Sequence, residues 1–214
     1  MGLLTDCPRS AALNSVPLEN CLESVGQIQK MVFQRIRKTD GTKNTFVTAT
    51  ADPAVLASWT PLLAAADDTK VVQTPFIAQP EFEPGAARKY GGGNATLGGI
   101  ELVIGREPTT ATAMLLRNSQ KTVKALKKFM GEDVGVYFID EFGRIIADSD
   151  GAEAPVNYYP FPINGLFVGD KKFGGLEDID SNAIEFGMFP NWSDNLRIIT
   201  PTDFDALNDL KTPA

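Results

Sequence analysis

Histidine is absent from this chain. With it goes the side chain most often used as a general base, a metal ligand or the partner of a Ser or Cys nucleophile. Any catalysis would have to run on carboxylates, lysine or arginine. Cysteine is scarce as well: Cys7 and Cys21 are the only two, too few for a four-ligand zinc site without carboxylate help. Their spacing can close a loop. Nothing marks the chain as exported, however, so both are read as free thiols. Met1–Asp6 lacks the basic start and apolar run of a signal peptide, and Asp6 stands where a myristoylation pattern wants Ser or Thr. The uncharged stretch Pro53–Ala66 is too short for a bilayer and contains Pro61. No membrane partner is expected.

Cations are the minority charge. Twenty Lys and Arg against 27 Asp and Glu leave a net charge of −7. Tight sequence-independent binding to nucleic acid needs cationic neutralisation of phosphates, so this balance argues against it. An acidic surface still matters beside DNA, because it repels the duplex and prevents sticking. At 214 residues and 43% hydrophobic, the chain is long and apolar enough to build a core without staples.

One helix stands out against strand-like sequence. In Ser119–Met130, Val123, Leu126 and Met130 share a face, while Lys121, Lys124 and Lys128 form a separate stripe. Ser119 suits the N-cap and Gly131 the left-handed position after the last turn. A weaker helical stretch opens at Asp52-Pro53, with Asp52 as cap; Pro61 is expected to divide it, with Thr60 as a second cap.

The rest reads as nine or ten short strands. Gln27–Lys38 is read as a strand that turns at Thr39–Thr42 and pairs with Thr45–Ala49. Lys70–Thr74, Phe76–Phe82, Ile100–Ile104 and Thr109–Leu116 follow. Val134–Ile139 and Arg144–Ala147 flank the turn Asp140–Gly143. Leu166–Val168, Ala183–Phe189 and Leu196–Thr200 complete the set. This spacing predicts a mainly β fold, a β-sandwich or barrel with one flanking α-helix. The expected organisation is an N-terminal arm, 1–25; a single β-rich domain, 26–204, with the helix 119–130 and a long loop 76–96; and a C-terminal tail, 205–214.

Several stretches invite chemistry and have plainer readings. Gly91–Gly99 lacks the P-loop pattern, has Lys89 on the wrong side and runs into a strand rather than a helix, so it reads as a loop. Asp178-Ile-Asp180-Ser-Asn182 starts like a calcium loop, but Ala183 and Phe189 occupy the positions that need Gly and Glu. Asp140 and Glu141 lie in a turn, where Asp is favoured for local reasons. No catalytic, cofactor or metal residue is assigned, and no enzyme activity or cofactor is expected. The residues singled out are candidates for assembly contacts. They are Lys121, Lys124 and Lys128, facing an acidic surface of another copy; Phe76, Phe82 and Tyr90 in the long loop; and Tyr158 and Tyr159, in a Tyr-Tyr-Pro-Phe-Pro run hard to bury as a strand.

Gly26–Arg35, Asn94–Ile100, the 119–130 helix with Gly135–Ile139, and Pro190–Leu196 through Thr200–Phe204 resemble virion structural proteins of tailed bacteriophages. Length and pattern are most similar to a tail tube (major tail) protein. The resemblance implies a β-sandwich or barrel subunit, hexameric rings that stack through arms and loops, and an often negatively charged lumen. It implies as partners the chain itself, other virion proteins and DNA passing without specific binding. The implied location is the virion, after assembly in the host cytoplasm. Two alternatives fit the same residues. One is a head decoration or head-completion protein. The other is a glycan or small-molecule binding module, or a histidine-free hydrolase, using the aromatics of 158–192 with Asp178 and Asp180.

Overall fold

A computed structural model describes residues 15–16, 24–151 and 154–211. Cys7, Cys21 and most of the expected arm lie outside these. The chain divides into two compact units, one containing residues 86–107 and the other residues 25–85 and 108–211.

The larger unit contains, in order, β1 (Ile28–Arg35), β2 (Phe46–Val47), α1 (Leu56–Ala64), β3 (Val71–Gln73) and β4 (Ile77–Glu83). The smaller unit holds β5 (Ala87–Gly91) and β6 (Glu101–Arg106). The larger unit then continues with β7 (Thr109–Leu116), α2 (Gln120–Lys127), β8 (Val134–Asp140) and β9 (Ile145–Ser149). It ends with β10 (Asn157–Tyr159), β11 (Phe161–Val168), β12 (Ser181–Met188) and β13 (Leu196–Ile199). The fold is therefore mainly β, with antiparallel pairing throughout and two α-helices rather than one.

Two sheets make the body. The first runs β3-β1-β8-β9-β13, with β10 following β8 along the same edge of β9 and β2 pairing with β10. The second runs β11-β12-β7-β4. They are joined at two corners. The start of β11 pairs with β8 through Phe161↔Val136 and Pro162↔Gly135, and the rest of β11 pairs with β12. At the other corner the chain leaves β3 beside β1 and becomes β4 beside β7, with Thr74 N donating to the Met31 carbonyl at 2.8 Å. The path β1-β8-β11-β12-β7-β4 thus wraps around one core, with no ladder between β4 and β1.

The first sheet is buried on both faces, which explains the unbroken apolar run of β8. Val134, Val136 and Phe138 point between the sheets with Met31, Phe33, Phe161, Ile184 and Phe186. Tyr137 and Ile139 point the other way, with Val32, Phe46, Trp59, Ile145 and Leu210. Alternation thus distributes two apolar sets rather than one apolar and one polar set. In this second core the Phe46 and Trp59 rings lie 4.5 Å apart and Tyr137 meets Trp59 edge-on at 5.5 Å.

α1 covers that second core, and its local chemistry differs from expectation. Its N-cap is Val55, whose side chain makes no cap bond; Asp52 instead accepts from Ala54 N at 2.9 Å. The cap comes from far away: Asp203 Oδ1 accepts from Leu56 N at 2.9 Å. Pro61 sits inside the helix without dividing it, and Thr60 bonds back to the Leu56 carbonyl rather than capping a new helix. Proline here removes one helical donor. Burial of Trp59 and Leu63 offsets that loss, and the Trp59 indole donates to the Pro53 carbonyl at 2.8 Å.

Other boundaries shift for identifiable reasons. β2 pairs with β10, not β1; the turn after β1 keeps only the Arg37↔Lys43 bridge, because β3 takes the edge of β1. The 158–162 run does form strands, since Pro160 sits between β10 and β11 and Phe161 is fully buried. The stretch expected as a loop, 76–96, contains β4 and β5. The stretch expected as a tail is anchored: Ala206 and Leu210 are fully buried, Gln73 Nε2 donates to the Ala206 carbonyl, and Lys30 Nζ donates to the Leu207 carbonyl at 2.6 Å. Burial pushes the Lys30 ammonium below the usual lysine range; Lys211 adds to this and Asp205 opposes it.

Candidate assembly surfaces

Three surfaces stand out once the cores are assigned. The first is the outer face of the second sheet. β7 alternates strictly, with Ala111, Ala113 and Leu115 buried and Thr110, Thr112, Met114 and Leu116 facing out. Register carries that face across the sheet: Glu81 of β4 lies opposite Thr112, which lies opposite Glu185 of β12, which lies opposite Phe167 of β11. Glu83 adds a third exposed carboxylate beside Thr110. Neither lysine nor arginine occurs anywhere in β4, β7, β11 or β12. Glu81 and Glu185 are two strand spacings apart, about 10 Å, close to one screening length in physiological salt. Their fields therefore overlap above the sheet.

The second surface is the β5–β6 hairpin of the smaller unit, paired from Ala87↔Arg106 to Gly91↔Glu101. Its glycine-rich tip is two short 3-10 turns, tied by Gly92 N donating to Thr96 Oγ1 at 3.2 Å and Thr96 Oγ1 donating to the Ile100 carbonyl at 2.6 Å. Gly91 and Gly92 have φ of 93° and 95°, a region that favours glycine. Lys89 and Glu101 pair across the ribbon at 2.8 Å. Tyr90, Leu102, Val103 and Ile104 are exposed on it, Ile104 by 65%. A two-stranded ribbon is marginal in water by itself, and these apolar side chains lack cover.

The third surface is α2. Ser119 Oγ accepts from Thr122 N at 3.2 Å and caps the helix. Val123 and Leu126 are buried between the sheets, but the helix stops at Lys127, so Met130 lies beyond it and is exposed. Gly131 takes the left-handed conformation, φ 86°. Lys121, Lys124 and Lys128 are exposed as a stripe. Two clefts flank the helix: Lys128 lines one with Arg35, Asp68 and Glu132, and Lys124 lines the other. Lys127, outside the expected stripe, pairs with Asp170 and holds its carboxyl below the usual range.

The aromatic candidates separate. Phe76 is exposed, with the Lys30 ammonium 4.3 Å from its ring centre. Tyr90 is exposed on the hairpin. Phe82 turns inward onto Phe138, edge-on at 5.2 Å, and stacks on Trp192 at 6.2 Å. Tyr158 packs against the second core, and Tyr159 lies under the Lys43 ammonium at 5.1 Å. The structure does not gather these aromatics into one patch.

The calcium-like stretch is occupied by its own neighbours. Asp178 accepts from Lys172 Nζ at 2.9 Å, which lowers its carboxyl pKa, and Asp180 accepts from Gly174 N at 3.1 Å. Among the described residues no group of three or more His, Cys, Asp or Glu side chains is arranged to hold a metal ion. No described helix is long and apolar enough to cross a membrane. Comparison of the chain with protein-family models, curated proteins and solved structures gives no match.

The acidic sheet face was missed in the sequence reading. Its signal lies in the alternation of 109–116 together with Glu81-Phe-Glu83, whose two carboxylates share one strand face.

Proposed function

We propose that the protein is a self-assembling structural subunit, most similar in role to the tail tube protein of a tailed bacteriophage, and that the outer face of β4, β7, β12 and β11 lines the channel. The observation that carries this reading is the exposed carboxylate row of Glu81, Glu83 and Glu185 on four strands without a single cation. A duplex carries one negative charge per ~1.7 Å of its axis. A smooth acidic wall repels it, leaves no phosphate-binding points and lets it slide. The same wall would be a poor binding surface for most anionic partners. The exposed apolar hairpin supports assembly in the same way, because a neighbouring subunit supplies the cover its own ribbon lacks.

Negative-stain images of concentrated protein test the reading. Rings or tubes are the expected result. Strictly monomeric behaviour at high concentration, together with intact virions that lack the protein, overturns it. The lining is tested separately by Glu81→Lys with Glu185→Lys: assemblies should still form and should now retain duplex DNA at low salt. Assemblies that bind no more DNA than the parent place this face elsewhere.

A further inference from the structure

The loop between β11 and β12 presents large apolar side chains to solvent. Leu176 is wholly exposed, Phe173 by 80% and Ile179 by 45%. The loop is nevertheless closed by its own bonds. Lys172 and Ser181 exchange backbone hydrogen bonds at its base, at 2.8 and 3.0 Å. Gly174 N donates to Asp180 Oδ1 at 3.1 Å, and Lys172 pairs with Asp178 at 2.9 Å. A Cβ at Gly174 would collide with the Asp178 carbonyl, so the backbone is folded tightly on itself. A tip held in this way loses little freedom when it docks.

The larger unit also has an apolar pocket of about 330 Å³. Val25, Phe82, Trp192 and Leu196, all at least partly exposed, wall it over a floor of Phe138 and Ile146. No charged side chain lines it. Its polar groups are spent: Trp192 Nε1 donates to Thr109 Oγ1 at 3.2 Å, Gly26 N to Asp140 Oδ2 at 3.3 Å and Gln27 N to Glu141 Oε1 at 3.1 Å. An occupant therefore needs apolar surface and no hydrogen-bonding group. A cavity of about 150 Å³ holds one benzene, so there is room here for two side chains of the size of Leu or Phe.

Loop and pocket lie at opposite ends of β12. The loop is bonded to its first residue, Ser181, while Trp192 follows its end at Met188 and Phe82 is in register with Phe186 through Ala111. The strand between spans about 24 Å. Charge divides the same way. α2 adjoins the loop, since Lys124 and Lys127 line one cleft with Lys171 and Phe173. Residues 117–128 and 170–180 together carry seven Lys or Arg and four Asp or Glu, a net +3. The stretches that line the pocket, 25–28, 80–83, 138–146 and 192–197, carry five Asp or Glu and two Arg, a net −3. We propose that the 173–179 loop of one copy seats in the pocket of the next, joining copies head to tail. Phe173 and Leu176 fill the pocket, Glu177 stays at its mouth in water, and the α2 lysines face the acidic surround. Three apolar side chains supply about 500 Å² at most, whereas a stable pair needs roughly 800 Å² from each partner. A single contact is therefore short-lived. Every copy carries both halves, so each is held at two ends, which favours a second copy over a free peptide as occupant. Repeated contacts of this kind build rings or filaments. The inference rests on the self-assembly reading and names its contact.

The experiment is cross-linking between two differently tagged full-length chains, both with Cys7→Ser and Cys21→Ser. One carries Leu176→Cys and the other Val25→Cys. A short bismaleimide should join them when they are mixed at assembling concentration, and should join neither to itself. Phe173→Ser with Leu176→Ser should raise the concentration needed for assembly at least tenfold, with the melting temperature unchanged because both side chains are exposed. Assemblies that form without the mixed cross-link, or that form as readily after the double serine change, overturn the head-to-tail contact and leave the self-assembly reading standing. Leu176→Cys that links to itself as well as to its partner overturns it in favour of a loop-to-loop contact. Val25→Cys that resists maleimide in dilute protein overturns it as well, since its own chain then fills the pocket. A parent that stays strictly monomeric overturns both readings.

Discussion

Asp140 Oδ2 lies 2.7 Å from Nε and 2.6 Å from Nη2 of Arg144, so two nitrogens of one guanidinium converge on one carboxylate oxygen. The other oxygen accepts from Phe142 N and Arg144 N at 3.0 and 2.9 Å, closing the turn between β8 and β9. Asp140 is fully buried. Replacing it with Asn keeps the shape but removes the buried negative charge that faces the guanidinium. Asp140→Asn should cost about 3 kcal/mol in urea unfolding. A loss below about 1 kcal/mol would mean that the turn is held by its backbone alone.

Gly135 sits where the two sheets join. A Cβ there would lie 2.8 Å from Pro160 Cβ and 2.9 Å from the Phe161 carbonyl oxygen, and the latter is backbone that cannot swing aside. Gly135→Ala should therefore push β11 off β8 and destabilise by about 1–3 kcal/mol. Amide exchange should accelerate most at Val136 and Phe161, the paired residues at the seam. Uniform acceleration across both sheets would show that the seam is no weaker than the rest.

Tyr137 donates its hydroxyl to Gln34 Oε1 at 3.1 Å inside the second core, and Gln34 Nε2 donates to the Thr69 carbonyl at 2.8 Å. Tyr137→Phe leaves Gln34 Oε1 buried without that donor, a loss of about 1–3 kcal/mol. Burial holds the Tyr137 phenol well above its usual value. Above about pH 10 the unfolded tyrosine ionises and the folded one does not, so the native state binds more protons and stability falls. The parent should lose stability in that range more steeply than Tyr137→Phe, as read by melting temperature against pH.

Asp148 carries the opposite kind of pH signature to a paired carboxylate. Burial raises its pKa, against smaller lowering effects of the Ser149 amide and Lys43. A raised carboxyl means the native state binds more protons than the unfolded state between the ordinary aspartate value of 3.8 and the folded value. The charged form is therefore a penalty above the folded pKa, relieved as pH falls through it. Asp148→Asn should melt higher than the parent at neutral pH, with the gap closing toward pH 4. A gap that widens on acidification contradicts this assignment.

Local signals were legible where one element decides its own structure. Ser119 starts α2 because N-cap chemistry is contained within a few residues, whereas the helix ends at Lys127 with Lys128 as its C-cap, short of the expected stop at Gly131. β7 runs Thr109–Leu116 as its alternation predicts, because one face is buried and one is not. The β8–β9 turn follows from Asp140–Gly143 alone. Long-range features left no comparable trace. Asp203 caps α1 from 147 positions away, and nothing near Leu56 announces it. β11 begins in one sheet and ends in the other, so Tyr158–Pro162 looked too irregular for strands. Asn182 read as one ligand of an incomplete calcium loop; its buried, half-paired amide exists only once β12 is placed against Gly169.

The anchoring of residues 203–210 sets an order on folding. Trp59 and Leu63 share a core with Ala206 and Leu210, and Asp203 supplies the helix cap. During synthesis at about 5–20 residues per second, α1 therefore waits several seconds with its apolar face uncovered. The core between the two sheets can form earlier, since the last strand of the second sheet, β12, ends at Met188. Contacts of such long separation are slow to form. The interval between these two closures is when the chain is most open to a chaperone or to a neighbour.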